Sequence, residues 1–250
     1  MNFEMESYNA FSNYYDSLMK NVDYKSRAKY ILEVFERLGH NMGLSLDLAC
    51  GTGELTIELK KAGVDIYGAD AAHEMLYRAL DKCHDEGLDI LFICQKMQQL
   101  DLYGTIDTCV CTLDSINHVT DIDDVQKAFE RVSLFTNPGG YFLFDVNTVY
   151  KHQNILADNT FVYDAEDVFC VWQNSLKENN VVEIELDFFE RENDVYYRTS
   201  ESFCERAYSD EELTLMLEKA GFDVVARYGD MTFETPRDDE QRVIYIARKK

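Results

Sequence analysis

The chain has 250 residues and is strongly acidic, with 47 Asp and Glu against 24 Lys and Arg and a formal net charge of −23 at pH 7. Nucleic-acid binding relies on Lys and Arg to neutralise phosphates, so this balance argues against an RNA or DNA substrate. The seven cysteines form no C-x-x-C pair, and no apolar run approaches the ~20 residues that cross a membrane, so we expect a cytoplasmic protein without zinc, disulfides or membrane contact.

The N-terminal region is predicted to be helical. Apolar and aromatic residues recur at helical spacing in two groups over residues 8–38. We expect an N-terminal helical lid over residues 1–40. The two groups are Phe11, Tyr15, Leu18 and Met19, and then Tyr24, Ala28, Ile31, Phe35 and Leu38.

Strands and helices alternate along the next hundred residues. Such alternation predicts a parallel, doubly wound α/β sheet, and we assign residues 41–148 to it. The predicted strands are 45–49, 64–69, 89–93, 106–112 and 141–146, and the helices are 54–62, 72–84 and 122–135.

The pattern changes after Asn147, where β-type segments follow one another without helices. They cover residues 161–163, 168–174, 181–190 and 195–205, and apolar residues alternate with acids in the third. This predicts an antiparallel insert over residues 149–206 that caps the main domain. The main domain resumes over 207–250. It continues with a capping box at Ser209 and Glu212, a helix at 210–220 and strands at 222–228 and 242–247.

The most informative motif is a glycine-rich turn between the first strand and the first helix of this alternation. Asp47 ends the apolar strand, Gly51 and Gly53 follow, and the second strand ends in Asp70. Glycines let the backbone turn sharply and approach a ligand, and the helix N-terminus offers free N–H groups. An acid that ends the next strand can accept hydrogen bonds from both ribose hydroxyls. The motif therefore predicts a site for a nucleoside-bearing cofactor.

The spacing of the glycines separates the possible cofactors. The nicotinamide fingerprint G-x-G-x-x-G fails at its third glycine, where the chain has Thr56, and no P-loop lysine follows. The run instead matches [DE]-x-[GA]-x-G-x-G, and residues 67–76 look like a second motif, an acid followed by a helix. In both motifs the chain resembles class I S-adenosylmethionine (SAM) methyltransferases. A nicotinamide oxidoreductase is the distant alternative.

The resemblance extends along essentially the whole chain. Two further stretches are similar to those of a bacterial subgroup with an antiparallel insert, to which aminosugar N,N-dimethyltransferases are related. These stretches are Tyr14-Tyr15-Asp16 with Tyr24, and Asp-Ser-Ile-Asn-His at 114–118. The resemblance implies a Rossmann-like, mostly parallel sheet whose last strand is antiparallel, with a small antiparallel β-sheet cap.

The resemblance also implies roles for individual residues. The glycine loop would line the methionine moiety, Asp70 would hold the ribose, and Tyr15 would close over the cofactor. At Lys96 the family commonly has an acid for adenine, so Gln95, Gln98 or the Met97 backbone would replace it. Asp47 would orient the loop or face the amino group. The implied cofactor-binding residues are Tyr15, Tyr24, Asp47, Ala49, Cys50, Gly51, Gly53, Asp70, Ala71, Met75, Lys96, Met97, Leu113 and Asp114.

Methyl transfer from a sulfonium is an in-line displacement that leaves S-adenosylhomocysteine (SAH), so alignment of the reactants is the main requirement. An amine acceptor must lose a proton, and His118 is the candidate base because histidine ordinarily titrates near neutral pH. Tyr15 is a second candidate catalytic residue. Asp114 or Asp145 could instead attract a cationic amine, although Asp145 could equally be structural.

The acidic surface and the predicted cap favour a small-molecule methyl acceptor, with an amine as the candidate acceptor group. An RNA or protein methyltransferase is one alternative, and a SAM-binding regulator without catalysis is another, which the departure at Lys96 favours. The terminal Arg248-Lys249-Lys250 would discourage edge-to-edge strand pairing, so we expect a monomer or a weak dimer.

Overall fold

The structure is a computed structural model and describes residues 22–164 and 168–250. The first predicted helix, including Tyr15, lies outside the described residues. Helix α1 (Tyr24–Arg37) corresponds to the second and begins at Asp23, whose side chain accepts a hydrogen bond from the Ser26 N–H at 3.0 Å. Its buried face contributes Ile31 and Phe35 to the core, as the helical spacing predicts, together with Val34.

The predicted alternation is present over residues 44–147. Five strands alternate here with three helices, and no long helix lies between β3 and β4. The strands are β1 (Leu44–Leu48), β2 (Asp65–Asp70), β3 (Phe92–Cys94), β4 (Ile106–Cys111) and β5 (Thr136–Asn147). The helices are α2 (Glu54–Lys61), α3 (His73–Glu86) and α4 (Ile122–Phe135). All pairings among β1–β5 are parallel.

Two predicted strand starts in this part differ from the structure by more than two residues. Strand β3 covers only Phe92–Cys94, because its pairing with β2 is confined to three residues, and the preceding Leu91 is exposed. Strand β5 begins at Thr136, before the predicted start at residue 141, and takes in the turn-type residues Asn137-Pro138-Gly139-Gly140. Ile106 pairs with Thr136 and Thr108 with Tyr141, so the turn forms an irregularity within the strand.

A separate antiparallel sheet follows, as predicted. Strands β6 (Thr160–Asp164), β7 (Val168–Leu176), β8 (Val181–Glu192) and β9 (Val195–Arg206) pair in sequence order. Before them the chain forms one α-helical turn (Val149–Lys151) and one π-helical turn (His152–Leu156), which the sequence pattern did not predict.

The chain then completes the main sheet with helix α5 (Asp210–Lys219) and strands β10 (Phe222–Gly229) and β11 (Arg242–Lys249). The strand order is β10-β11-β5-β4-β1-β2-β3, and β11 is antiparallel to both of its neighbours. The mostly parallel sheet with an antiparallel last strand and a small antiparallel insert is therefore confirmed.

Both faces of the main sheet are buried, which explains its apolar strands. Phe142 and Phe144 point to the side covered by α4 and α5, and Leu143 and Ile246 point to the side covered by α1 and α2. None of the helices in the described part of the chain is long and apolar enough to cross a membrane.

Candidate active site

A cleft opens at the carboxyl ends of β1 and β4, where ligands of open α/β sheets bind. Among the predicted site residues, Tyr24, Asp47, Ala49, Cys50, Gly51 and Leu113 line it, and Thr52, Glu54, Leu55, Thr112 and Ser115 complete the lining.

The glycine loop has the backbone conformation that its sequence predicts. Ala49, Gly51 and Gly53 all have positive φ, at 58°, 54° and 78°. A Cβ at Gly53 would lie 2.8 Å from the Cβ of Ala79, so glycine lets α2 pack closely on α3. A Cβ at Gly51 would meet nothing within 4 Å, so open space lies beside the loop that a ligand could occupy. Gly53 is also the N-cap residue of α2.

Asp70 at the end of β2 joins the glycine loop to the start of α3. Its Oδ2 accepts a hydrogen bond from the Gly51 N–H and its Oδ1 from the Ala72 N–H, both at 2.8 Å. Burial raises the pKa of this carboxyl, and the backbone hydrogen bonds counteract part of the rise. Each carboxylate oxygen has two lone pairs, so each can accept one further hydrogen bond. The carboxylate can therefore hold both hydroxyls of a ribose without losing its contacts to the protein.

Asp47 is buried beneath the loop and bound to Thr56. The Thr56 Oγ1 donates to Asp47 Oδ2 at 2.6 Å, and both side chains are almost inaccessible to solvent. Burial raises the pKa of Asp47 to about 7, although the hydroxyl bond counteracts it. The residue that breaks the nicotinamide fingerprint thus supports the first acid of the loop, a role that sequence reasoning missed. Asp47 also borders the cleft, so a role facing the amino group of the cofactor stays a prediction beside its contact to Thr56.

We expect Thr56→Val to lower the free energy of unfolding by about 1.5–3 kcal/mol at about pH 8, because a hydrogen bond to a buried carboxylate is lost. The loss should be smaller at about pH 5. Asp47 is protonated in the folded protein below its pKa of about 7. Losing the hydroxyl bond raises that pKa further, so the additional loss in the free energy of unfolding appears as the pH rises. Urea unfolding at the two pH values measures both effects. Thr56→Ser keeps the hydroxyl and should show no such pH dependence; equal losses in the two variants would contradict the interpretation.

The loop after β4 has an unusual backbone that Asp145 holds in place. Leu113 and Asp114 both adopt positive φ, at 59° and 56°, which is uncommon for residues other than glycine. Their N–H groups donate to Asp145 at 2.9 and 2.7 Å. Asp145 is completely buried and also contacts the guanidinium groups of Arg27 and Arg242. Its oxygens are therefore engaged, which favours the structural role over attraction of an amine.

Asp114 itself is turned toward β5 and β11. Its carboxylate accepts hydrogen bonds from Arg242 at 2.8 Å and from the Asn147 amide at 2.7 Å. Burial raises the pKa of Asp114, but the nearby positive charges, that of Arg242 first, and the hydrogen bond from Arg242 together outweigh burial and hold the pKa well below the usual range. Leu113 is therefore the member of this pair that borders the cleft.

His118 lies at the junction of the main domain and the inserted sheet. Its Nε2 is 3.6 Å from Glu205 Oε1 on β9, and its ring centroid is 5.2 Å from that of Phe203. Its charge contributes to lowering the pKa of Asp70 and of Asp114, although His118 is not among the described residues that line the cleft. Sequence reasoning found His118 but missed Glu205. The available signal was an acid at a position of β9 whose partner, Val182, faces the buried side of the insert.

The segment predicted to contact adenine follows β3. Lys96 precedes a 3₁₀ turn (Met97–Gln99), and the Met97 side chain is buried in the core. The Gln95 amide is engaged with both backbone groups of Asp101, so Gln98 and the Met97 backbone are the remaining alternatives for adenine. Ala71 and Met75 lie at the start of α3 beside Asp70, and the Met75 side chain is buried.

Comparison with known proteins identifies relatives of the whole chain. A family model described as a methyltransferase domain matches residues 46–140. YqeM of Bacillus subtilis, which is named as a methyltransferase, is 32% identical over 244 residues, 97% of each chain. A crystal structure of a SAM-dependent methyltransferase from Clostridium acetobutylicum is 32% identical with a TM-score of 0.88, covering 97% of this chain and 98% of that one. The sugar N-methyltransferase KedS8 of a Streptoalloteichus species shares the fold, with a TM-score of 0.79 at 19% identity over 100% and 96% of the two chains.

Proposed function

The chain belongs to the S-adenosylmethionine-dependent methyltransferases, and we propose that its methyl acceptor is an amine nitrogen of a small molecule. The observation that carries the proposal is the position of His118. It ends the loop after β4 in which Leu113 borders the cofactor cleft, and it lies 3.6 Å from a buried carboxylate of the inserted sheet. An amine that enters between the main domain and the inserted sheet would meet a base beside the cofactor.

The described residues suit the cofactor. Asp70 has acceptor capacity for the ribose diol, the space beside Gly51 would take the methionine moiety, and Tyr24 and Leu113 border the same cleft. When bound, SAM supplies an electrophilic methyl carbon attached to a positively charged sulfur. The protein's task is to hold the acceptor nitrogen in line with that carbon, and such alignment can supply roughly 7–11 kcal/mol of the barrier in favourable cases.

His118 would remove the proton that an ammonium acceptor carries. An amine must present its lone pair to the methyl carbon, so the proton has to leave first. Histidine suits this task because its ordinary titration lies near neutral pH. Asp114 and Asp145 are less suited, because both carboxylates are held by arginine and by the protein backbone or amides.

Three further observations support a small acceptor in a reducing compartment. The net charge of −23 is unfavourable for a polyanionic substrate. The absence of a C-x-x-C pair among the seven cysteines favours a cytoplasmic location, which stays a prediction. The name of KedS8 describes a sugar N-methyltransferase, which is consistent with an amine acceptor here. A monomer or weak dimer stays a prediction.

The test uses SAM with a labelled methyl group, the purified protein and a native cell lysate, followed by fractionation of the products by size. We expect label in the low-mass fraction with the wild-type protein and none with Asp70→Ala, which controls for enzymes of the lysate. Mass spectrometry of the labelled product would identify the acceptor atom. Label on RNA or protein would contradict the small-molecule acceptor, and SAM binding without any labelled product would indicate a regulator.

A further inference from the structure

The carboxylate of Glu205 is buried where the inserted sheet meets the main domain. Its side chain is 5% exposed, and its partner in the β8–β9 register is the fully buried Val182. Among the described residues, the Asn147 amide is its hydrogen-bond donor, with Nδ2 at 3.3 Å from Oε2. A buried carboxylate is costly unless it is paired, so further positive or donating partners are required.

His152 is close to the same carboxylate but cannot be that partner. Its Nδ1 lies 2.9 Å from the Asn180 carbonyl oxygen and therefore donates to it. Burial lowers the pKa of His152 to about 4, so the ring is neutral and its Nε2 is an acceptor. That Nε2 is buried, lacks a hydrogen-bond partner and lies 3.8 Å from Glu205 Oε2. Two acceptors face each other there, and His152 adds no donor.

His118 faces the other oxygen of Glu205. Its Nε2 lies 3.6 Å from Oε1, which is ion-pair distance, and Phe203 packs against its ring. In a neutral imidazole, the hydrogen bond made by one ring nitrogen decides which nitrogen carries the proton. A carboxylate opposite Nε2 favours a proton on Nε2, which leaves the lone pair on Nδ1.

We propose that Glu205 is a positioning residue that fixes His118 in the Nε2–H form and stabilises its positive charge after Nδ1 has accepted a proton. The inference rests on the proposed function and assigns the inserted sheet a part in it. The acceptor ammonium gives its proton to Nδ1 of His118. The freed nitrogen lone pair forms the N–C bond as the C–S bond breaks, and the electron pair of that bond stays on sulfur. The imidazolium then returns its proton to water.

Other charged groups surround the pair. Asp70 ends β2, Asp114 follows β4, and Lys151 comes from the helical turn after β5, with its Nζ 2.9 Å from the Asn147 Oδ1. Burial raises the pKa of Glu205 and Asp114 raises it further, while His118, Lys151 and the Asn147 hydrogen bond oppose the rise. Asp114 is itself paired with Arg242, so its charge is largely neutralised. Glu205 is the carboxylate that lies at ion-pair distance from His118.

The test measures the ring proton of His118 directly. Long-range ¹H–¹⁵N spectra of the full chain with bound SAH, at about pH 9 and above the ordinary titration range of histidine, report which nitrogen carries the proton. His118→Gln identifies the His118 signals. We expect an Nε2–H ring in the wild type and a mixture of the two forms in Glu205→Gln. Glu205→Asp, which keeps the charge, should restore part of the Nε2–H preference.

Glu185→Gln is the matched control, because Glu185 lies on the same sheet but on its opposite, exposed face. It removes the same charge and should leave the His118 spectrum unchanged. SAH affinity, which should stay within about twofold in every variant, monitors folding. A wild-type ring protonated at Nδ1, or an unchanged ring in Glu205→Gln, would overturn the inference. These spectra need no acceptor, so this result is separate from the labelling test of the proposed function.

Discussion

Replacing Asp70 by Ala should reduce SAH affinity by about 100-fold to 10,000-fold. Two hydrogen bonds from a ribose to a carboxylate are worth about 1.5–3 kcal/mol each, and about 1.4 kcal/mol corresponds to a factor of ten. The substitution also removes the acceptor for the Gly51 and Ala72 N–H groups, which loosens the glycine loop itself. Isothermal titration calorimetry with SAH measures the affinity without any acceptor.

Asp65→Ala is the control for this experiment. Asp65 begins the strand that Asp70 ends, and its side chain is exposed and contacts only Lys60 among the ion pairs of the described residues, at 3.6 Å. Loss of an exposed pair should change stability by about 1 kcal/mol or less and leave SAH affinity intact. If Asp70→Ala retained affinity within a few-fold of the wild type, the ribose assignment would be wrong.

Replacing Asp145 by Ala should lower the free energy of unfolding by about 3–5 kcal/mol, the usual cost of breaking a buried ion pair. The change leaves the guanidinium of Arg242 without one of its two carboxylates and removes the acceptor for the Leu113 and Asp114 N–H groups. Folded domains are stable by only about 5–15 kcal/mol, so this is a large fraction of the total. Urea unfolding followed by circular dichroism measures it.

Asp230→Ala provides the comparison, because Asp230 also contacts Arg27, at 3.3 Å, but is 36% exposed. An exposed partner contributes about 1 kcal/mol or less, so this variant should remain close to the wild type. Equal losses in the two variants would rule out Asp145 as the anchor of the loop after β4.

Much of the fold could be predicted because its signals are local. Strand–helix alternation, the capping box at Ser209 and the alternating insert strands each depend on neighbours in the sequence. Strand β3 was misplaced because its limits depend on pairing with β2, and apolar content alone does not fix them. The helical turns before β6 were missed because a short π-helical turn has no distinct periodicity.

The residues of the candidate site likewise include some that the sequence predicts and some that it does not. The glycine loop and Asp70 are adjacent to strand ends, so their convergence follows from parallel topology. Glu205 and Arg242 come from segments that topology alone does not place beside the loop after β4. Thr56 illustrates a third case. Its place in the glycine motif can be identified from the sequence, but its hydroxyl contact to Asp47 forms only when α2 packs on β1.

The location of β11 has a consequence for how the molecule assembles. This last strand lies between β5 and β10, so the sheet stays split until residues 242–249 are in place. The contacts from Arg242 to Asp114 and Asp145 span 128 and 97 residues, and such non-local pairings form slowly. A folding intermediate without β11 would expose two unpaired strand edges, which favour aggregation. It would also lack the Arg242 contacts to the loop after β4, so this part of the site cannot be complete before β11 docks.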